Sequence, residues 1–298
     1  MTGLSLAGAH FAALTDRGVL AIGGPDRASF LQGLISNDTT RIGAERAIYA
    51  ALLTPQGKYL HDFMLTEVDE TIWLDGEAAR LADLKRRLLM YRLRAKVTID
   101  ERPDLAVAAI FGGSSCGQPA EPGAANPFSD GILFADPRLA ALGARAILPR
   151  ERIGDALRDA GATDAPFAEY DQLRLSLGVP DGSRDLVLDK SILLESGFDE
   201  LNGVDWDKGC YVGQELTART KYRGLIKKRL FPVRIDGPAP EPGALVMLDG
   251  HEAGEMRSSR DGMGLALLRL EAVAKTPRLS AGNATIEAST PEWMRLPE

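Results

Sequence analysis

The chain has 298 residues, a formal net charge of −7 and 45% hydrophobic residues. This length exceeds that of a usual single core and predicts two or three lobes, while the acidic balance argues against nucleic-acid binding, which needs a basic surface. No stretch approaches the roughly 20 apolar residues of a membrane span, and the first residues lack the basic and apolar regions of a signal peptide. We therefore expect neither membrane insertion nor secretion.

The cysteines and histidines show no metal-ligand pattern. Cys116 and Cys210 lie far apart in the chain, which fits a reducing compartment better than a disulfide scaffold. His10, His61 and His251 are not spaced with them as zinc ligands are. The sequence predicts no metal site, and a location in a bacterial cytoplasm, or in the mitochondrial matrix if the source is eukaryotic.

Short strands alternate with helices along the first three quarters of the chain. The clearest helix is predicted over 77–90, because Leu81, Leu84 and Leu88 repeat at helical spacing. Other helices are predicted from Pro25, over 151–160 and over 165–177, and strands over 19–22, 47–53, 59–67, 71–74, 96–100, 105–111, 132–134 and 144–148. Residues 112–123 are rich in glycine but lack the P-loop lysine, so they read as a surface loop in which Cys116 is incidental.

The residue pattern of the sequence changes after Arg229. Prolines and glycines separate β-like runs near 231–235, 244–248, 263–268 and 283–287. Closely spaced short strands with turn residues are typical of a small β-barrel or sandwich. We place a domain boundary near 226–230.

The segment 208–215 reads Lys-Gly-Cys-Tyr-Val-Gly-Gln-Glu and follows a predicted polar loop, 181–207. It lacks the apolar period that a core helix or strand would show. Its glycines permit a tight turn or a close approach of backbone to a ligand. Lys208 lies two residues from Cys210, and a nearby ammonium favours the thiolate, which is the reactive form. The alternative is that Cys210 is a small buried apolar residue beside a turn, and the residues alone leave both interpretations open.

This segment resembles the K-G-C-Y-x-G-Q-E signature of YgfZ-type proteins, which are relatives of the T-protein (aminomethyltransferase) of the glycine cleavage system. Stretches at 30–38, 55–63, 92–97, 170–180 and 194–197 also resemble segments of this superfamily. The resemblance implies an α+β, T-protein-like fold with three lobes around a central folate cleft and a C-terminal small β-barrel. It divides the chain into a folate-binding region, 1–225, and a barrel domain, 226–298. The region 1–225 would contain two α+β lobes, roughly 1–50 with 140–225, and 51–139.

The resemblance also implies that the protein binds tetrahydrofolate. Glu195 falls where the family has its pterin-recognising glutamate, and a carboxylate can accept two parallel bonds from the amine and N–H of the pterin edge. The alternative is a solvated loop glutamate, since glutamate is mostly exposed.

The glutamate tail of folate, which can be polyglutamylated, is anionic. Six cations in 219–229, among them Arg219, Lys221 and Arg223, can attract it, or they form a solvated charged segment. Tyr211, Gln214 and Arg174 complete the predicted folate set.

Three functions are compatible with the sequence. The first is a folate-binding accessory protein for assembly or repair of iron–sulfur clusters, without classical turnover, whose partners are assembly factors and [4Fe–4S] client enzymes. Cys210 is then the working thiol, as a transient cluster or sulfur ligand or a redox nucleophile. Because four thiolates are the usual complement of a cluster, any cluster contact is either shared with a partner or fleeting.

The second is a tetrahydrofolate-dependent aminomethyltransferase in which Asp62 positions the folate amine. The paired aspartates of T-proteins read His61-Asp62 here, and T-proteins lack the thiol motif, so this alternative is ranked lower. The third is a scaffold with a vestigial pocket.

Overall fold

The computed structural model describes residues 5–113, 121–224 and 226–296, so Cys116 lies outside the described residues. The chain forms two compact units. Unit 1 comprises Met1–Leu52, His61–Tyr170 and Asn202–Val212, and unit 2 comprises Leu53–Leu60, Asp171–Leu201 and Gly213–Glu298. The division into lobes expected from the sequence stays a prediction.

Unit 1 is built on two mainly antiparallel sheets. Their strands are β1 His10–Ala13, β2 Arg17–Gly23, β3 Ile48–Leu53, β4 Tyr59–Val68, β5 Thr71–Glu77, β6 Thr98–Glu101, β7 Leu105–Phe111, β8 Ala125–Phe128, β9 Gly131–Ala135, β10 Ala144–Pro149 and β11 Thr163–Asp164. One sheet has the order β3-β4-β5-β2-β6 and the other β11-β1-β7-β10-β9-β8. Strands β3 and β4 continue into unit 2 at their linked ends. Every residue of β3 and most of β4 are buried, so polar side chains on these strands need partners inside the protein.

The helices of unit 1 are α1 Arg27–Gln32, α2 Leu81–Tyr91 and α3 Ile153–Asp159, with 3-10 turns at Thr39–Arg41, Ala78–Arg80 and Ala140–Leu142. The predicted helix over 77–90 is confirmed, although its first turn is the 3-10 turn. Its buried face is Leu81, Leu84 and Leu88. The larger sheet and α3 enclose an apolar core that includes Leu6, Phe11, Ile110, Leu133, Leu148 and Leu157.

Unit 2 contains a closed barrel of six strands in the order β12-β15-β14-β13-β16-β17. They are β12 Lys228–Asp236, β13 Leu245–Leu248, β14 His251–Arg260, β15 Met263–Arg269, β16 Arg278–Ala281 and β17 Ala284–Ala288. The predicted C-terminal barrel is confirmed. The four predicted runs fall on β12, β13, β15 and β17. The sequence reading missed β14 because its polar residues and Gly254 hide the strand pattern, and it also missed β16.

Four helices belong wholly or partly to unit 2: α4 Phe167–Ser176, α5 Gly182–Asp185, α6 Gln214–Tyr222 and α7 Leu270–Lys275. The predicted helix over 165–177 is confirmed as α4. The stretch 181–207, expected to be a loop, contains α5 and a 3-10 turn at Leu193–Ser196. Helix α6 begins inside the thiol motif, where we expected no helix because the segment lacks an apolar period.

Within the described ranges, none of the helices has both the length and the apolar character needed to cross a membrane.

Candidate functional site

Lys208 fixes the loop that carries Cys210. Its side chain is 7% exposed, and its ammonium donates to the carbonyl oxygens of Gln32, Ile35 and Asn37 at 2.8, 2.6 and 2.8 Å. An ammonium has three donors, so all of them are used. The carbonyls lie at and beyond the C-terminal end of α1, where a cation is favoured by the helix dipole.

Further bonds join the same two segments of unit 1. The Ser36 hydroxyl donates to Gly203 O at 2.6 Å and the Asn37 amide donates to Asn202 O at 2.8 Å. The backbone N–H of Val212 donates to the carbonyl of residue 33 at 3.2 Å. The stretch 30–38 and the first half of the thiol motif, which are far apart in sequence, therefore form one bonded cluster.

The expected action of Lys208 on Cys210 takes a different form. Burial lowers the pKa of Lys208 to about 8, against the opposing charges of Asp38 and Asp205. Because its N–H groups all point to carbonyls, none is directed at the thiol. We assign Lys208 as a residue that positions the loop, and any effect of its charge on the thiolate stays a prediction.

Cys210 is a free and exposed cysteine. The interpretation of Cys210 as a buried apolar residue is therefore wrong. Among the described residues, no group of three or more His, Cys, Asp or Glu side chains is arranged to hold a metal ion. The thiol is thus presented to solvent from a fixed loop.

Tyr211 faces inward from this loop. It is 7% exposed, and the Lys208 ammonium lies 5.1 Å from the centroid of its ring, within the range of a cation–π contact. The structure therefore places Tyr211 in the support of the loop, whereas we had expected it to contact folate.

Asp62 and His61 are adjacent on β4, and neighbouring residues of a strand point to opposite faces. Asp62 accepts a hydrogen bond from the Tyr49 hydroxyl at 2.9 Å. Burial and the Asp62 charge raise the pKa of Tyr49 well above its usual value, so the hydroxyl stays a donor. His61 instead lies 3.0 Å from Asp83 of α2, and burial lowers its pKa to about 4. The two side chains thus have separate partners.

A chain of buried charges continues from Tyr49 through unit 1. The Arg138 guanidinium lies 5.6 Å from the centroid of the Tyr49 ring and is bonded to Asp136 at 2.8 Å. Arg145 contacts Asp136 at 3.4 Å and Asp75 at 2.6 Å. Burial opposes the ionisation of Asp136, but the two arginines outweigh it and lower its pKa. This network of ion pairs surrounds the Tyr49–Asp62 hydrogen bond with buried charged side chains. Tyr49 was not predicted as a site residue, although its polar group in an apolar strand was a signal.

Glu195 of unit 2 lies in the 3-10 turn Leu193–Ser196. Burial raises the pKa of its carboxyl, against the charges of Lys228, Lys58 and Arg257. The side chain is half-buried, and no hydrogen bond or ion pair of its carboxylate is found within the described ranges. A half-desolvated carboxylate near three cations is suited to accept bonds from a polar ligand.

The cations of 219–229 do not act as one group. Lys221 is paired with Asp199 at 2.9 Å and the buried Arg229 with Glu200 at 2.8 Å. Arg219 and Arg223 are exposed at α6 and just beyond it, and no ion pair of either is found among the described residues. Of the three cations predicted to hold the folate tail, these two remain available to a ligand.

Gln214 is the first residue of α6, and Gly213 before it has φ +84. A Cβ at Gly213 would meet the Thr54 carbonyl at 2.6 Å, whereas one at Gly209 would meet nothing within 4 Å. At Gly213 the backbone does approach other backbone closely, namely the turn after β3. At Gly209 there is no such close approach.

Arg174, which we expected to contact folate, has buried partners within unit 2. It is 2% exposed, and its guanidinium bonds Asp171 and Asp185 at 2.7 Å each and Ser258 of β14 at 2.9 Å. With its donors enclosed by unit 2, Arg174 is a structural residue that ties α4 and α5 to the barrel.

Unit 1 also has a cavity of about 330 Å³. It is lined by Asn37, Arg41, Arg46, Ala47, Ile48, Tyr49, Glu121, Pro122, Pro137, Asn202 and Val204. Arg41 at this cavity pairs with Asp205 at 3.2 Å. The sequence analysis singled out none of its arginines, because isolated surface cations carry no pattern.

Known proteins resemble this chain over most of its length. The "Iron-sulfur cluster assembly factor IBA57, mitochondrial" of Homo sapiens is 38% identical over 312 residues, covering 94% of this chain and 84% of that protein. The protein of the same name in Mus musculus is 34% identical, with the same coverage. The chain belongs to the IBA57 family. In addition, the family described as "CAF17, C-terminal beta-barrel domain" matches residues 227–296.

The fold has a counterpart among solved structures. The glycine cleavage system aminomethyltransferase T from Bartonella henselae matches with a TM-score of 0.76 and 17% identity, covering 97% of this chain and 87% of that one. The predicted T-protein-like fold is thereby confirmed. At this identity the likeness concerns the fold alone, and the aminomethyltransferase alternative is not favoured by the relatives. The relatives are iron–sulfur assembly factors by name, while the narrower YgfZ-type assignment stays a prediction.

Proposed function

We propose that this protein is an iron–sulfur cluster assembly factor in which Cys210 supplies one thiolate to a cluster shared with a partner protein. The observation that carries the proposal is the exposed Cys210 thiol on a loop held by the buried Lys208 ammonium, in a chain whose relatives are named as iron–sulfur assembly factors. Thiolate is the ligand that iron–sulfur chemistry prefers.

The site is better suited to transferring an iron–sulfur cluster than to storing one. One thiolate cannot hold a cluster that usually has four, and the described part of the chain offers no metal-binding group. Cysteines of the partner therefore complete the coordination of the cluster. When the partner dissociates, the cluster goes with it. Assembly factors and [4Fe–4S] client enzymes are the proposed partners, in a bacterial cytoplasm or, as in the named relatives, in mitochondria.

We further propose that reduced folate binds to the same protein. Glu195 fits this ligand, because its half-buried carboxylate makes no hydrogen bond or ion pair with the described residues and can accept the paired donors of a pterin edge. Arg219 and Arg223 are exposed cations suited to an anionic tail. A bound tetrahydrofolate supplies an electron-rich ring and a nitrogen that accepts one-carbon units.

The cluster role is tested by replacing the thiol. In a strain that lacks the chromosomal copy, a Cys210→Ser variant is expressed and the activity of a [4Fe–4S] dehydratase is measured. Cys116→Ser, which removes the other cysteine of the sequence, is the matched control. We expect C210S to lose support of the dehydratase and C116S to keep it, at equal protein levels. Full rescue by C210S would refute the thiol role.

A further inference from the structure

The end of α2 leaves four large apolar side chains in solvent. Leu89 is 37% exposed, Met90 59%, Tyr91 39% and Leu93 90%. The face of α2 that packs on unit 1 is already formed by other leucines, so these four are surplus to the core. We call them, together with Lys85, Arg92, Arg94 and Lys96, the α2 patch. Clustered apolar exposure of this kind marks interaction surfaces.

The charge of this region is opposite to that of the protein. Residues 81–96 carry six Lys and Arg residues and a single acid, Asp83, in a chain of net charge −7. Asp83 is bonded to Arg86 and Arg87. For the four cations of the α2 patch, no ion pair is found within the described ranges. The patch therefore has free positive charge around its apolar side chains.

The most exposed side chain of the α2 patch, Leu93, belongs to a residue with an unfavourable backbone conformation. Leu93 has φ +42, in a turn closed by the Ala95 N–H donating to Arg92 O at 2.7 Å. Glycine or asparagine adopts this conformation at lower cost than a leucine. A strained residue whose side chain stabilises nothing inside the protein points to a role outside it.

A shallow groove of about 490 Å³ adjoins the patch. Its lining residues are Ala82, Lys85, Arg86, Leu89, Met90 and Glu101. Leu89 and Met90 give the groove an apolar lining, and Lys85 and Arg86 outnumber the single acid Glu101 beside it. This lining suits a protruding apolar side chain flanked by carboxylates. Methionine, tyrosine and arginine are also the residues enriched in protein interfaces.

We propose that the α2 patch is a docking surface for a partner protein that presents an apolar side chain surrounded by aspartates and glutamates. The apolar side chain enters the groove beside Leu89 and Met90, the surrounding partner surface covers Leu93, and the carboxylates pair with the free cations. Charge complementarity of this kind speeds encounter and makes it dependent on salt. The surface shares no residue with the Cys210 loop, so this inference stands whether or not Cys210 binds a cluster.

The partner is identified by photo-crosslinking. A benzophenone amino acid replaces Leu93 in the full-length protein in its own cells, and adducts and their crosslinked peptides are identified by mass spectrometry. The same replacement at Leu245 of β13, which is 54% exposed, is the control. We expect a protein adduct specific to position 93, with a crosslinked peptide rich in Asp and Glu. A lipid adduct, a second copy of this chain, a peptide without acidic residues or no specific adduct would each overturn the proposal.

Binding of the purified partner then gives the decisive measurement. Leu93→Asn keeps a residue that tolerates positive φ while removing the leucine side chain that the partner covers, so it is expected to fold with an unchanged or higher melting temperature. Its Kd for the partner is expected to rise at least tenfold, as is that of Arg92→Glu/Arg94→Glu, and wild-type affinity is expected to fall with salt. An unchanged Kd for the folded L93N protein would contradict the docking role.

Discussion

The Lys208 ammonium donates to the Ile35 carbonyl at 2.6 Å across 173 positions of sequence, and with two further carbonyls it closes the loop of Cys210 onto the end of α1. Lys208→Met leaves three carbonyls without this donor. The free energy of unfolding is expected to fall by about 1.5–3 kcal/mol, because bonds to charged donors have this magnitude. Urea denaturation measures it, and Lys190→Met, at an exposed lysine, is the control. Equal stability of both variants would contradict the anchoring role.

Alanine substitution of the two glycines of the thiol motif is expected to change the stability of the protein by different amounts. Gly213→Ala places a Cβ 2.6 Å from the Thr54 carbonyl at φ +84, and is expected to destabilise the protein by about 1–3 kcal/mol. Gly209→Ala meets no atom within 4 Å and is expected to change stability by less than about 1 kcal/mol. Melting temperatures of the two variants check this, and a larger loss in G209A would be inconsistent with the structure.

These glycines illustrate a contact that the sequence alone does not predict. The motif predicted a close approach of backbone, but the atom approached, the Thr54 carbonyl, is about 160 residues away in sequence and cannot be read from spacing. Local patterns succeeded where one face decides the structure, as in the leucines of α2. Local patterns did not predict α6, because its residues form a helix although they show no apolar period.

The candidate site was predictable in its residue types more than in their roles. Cys210 and Glu195 were found from the motif and the resemblance, and the structure leaves both accessible or half-accessible. The buried partners of Arg174 and Lys208 were not foreseen, because an arginine or lysine in a motif looks alike whether it meets a ligand or buried oxygen atoms. Only long-range partners such as Ser258 and Ile35 distinguish the two.

His61 is expected to make the protein less stable in mild acid. Burial lowers its pKa from 6.5 to about 4, so between these values the unfolded chain binds a proton that the folded protein does not. Its contribution is complete above pH 6.5 and is lost as pH falls to about 4, by up to about 3 kcal/mol. His61→Gln is expected to flatten this part of the stability profile measured by urea denaturation. His251→Gln, at an exposed histidine of the barrel, is expected to leave it unchanged.

Folate affinity is expected to depend on Glu195 and on pH. Burial raises the pKa of this carboxyl, and only the ionised form accepts both pterin donors, so affinity should fall as pH is lowered through the raised pKa. Glu195→Gln should weaken tetrahydrofolate binding by roughly ten- to a hundredfold, the equivalent of about 1.5–3 kcal/mol. Calorimetric titration measures this, with Glu241→Gln as the exposed control. No binding of tetrahydrofolate at millimolar concentration would remove the folate part of the proposal and leave the cluster part standing.

Arg174 and Arg219 are expected to respond differently to substitution, because we assign a structural role to Arg174 and propose folate binding for Arg219. Arg174→Met leaves the buried carboxylate of Asp185 without its 2.7 Å partner, and is expected to reduce the free energy of unfolding by about 3–5 kcal/mol. Arg219→Gln, on the exposed side of α6, is expected to change stability by less than about 0.5 kcal/mol. It should weaken polyglutamylated tetrahydrofolate up to about fivefold and the monoglutamate less. Denaturation and titration of both variants check the assignment, and a stable R174M protein with weakened folate binding would reverse it.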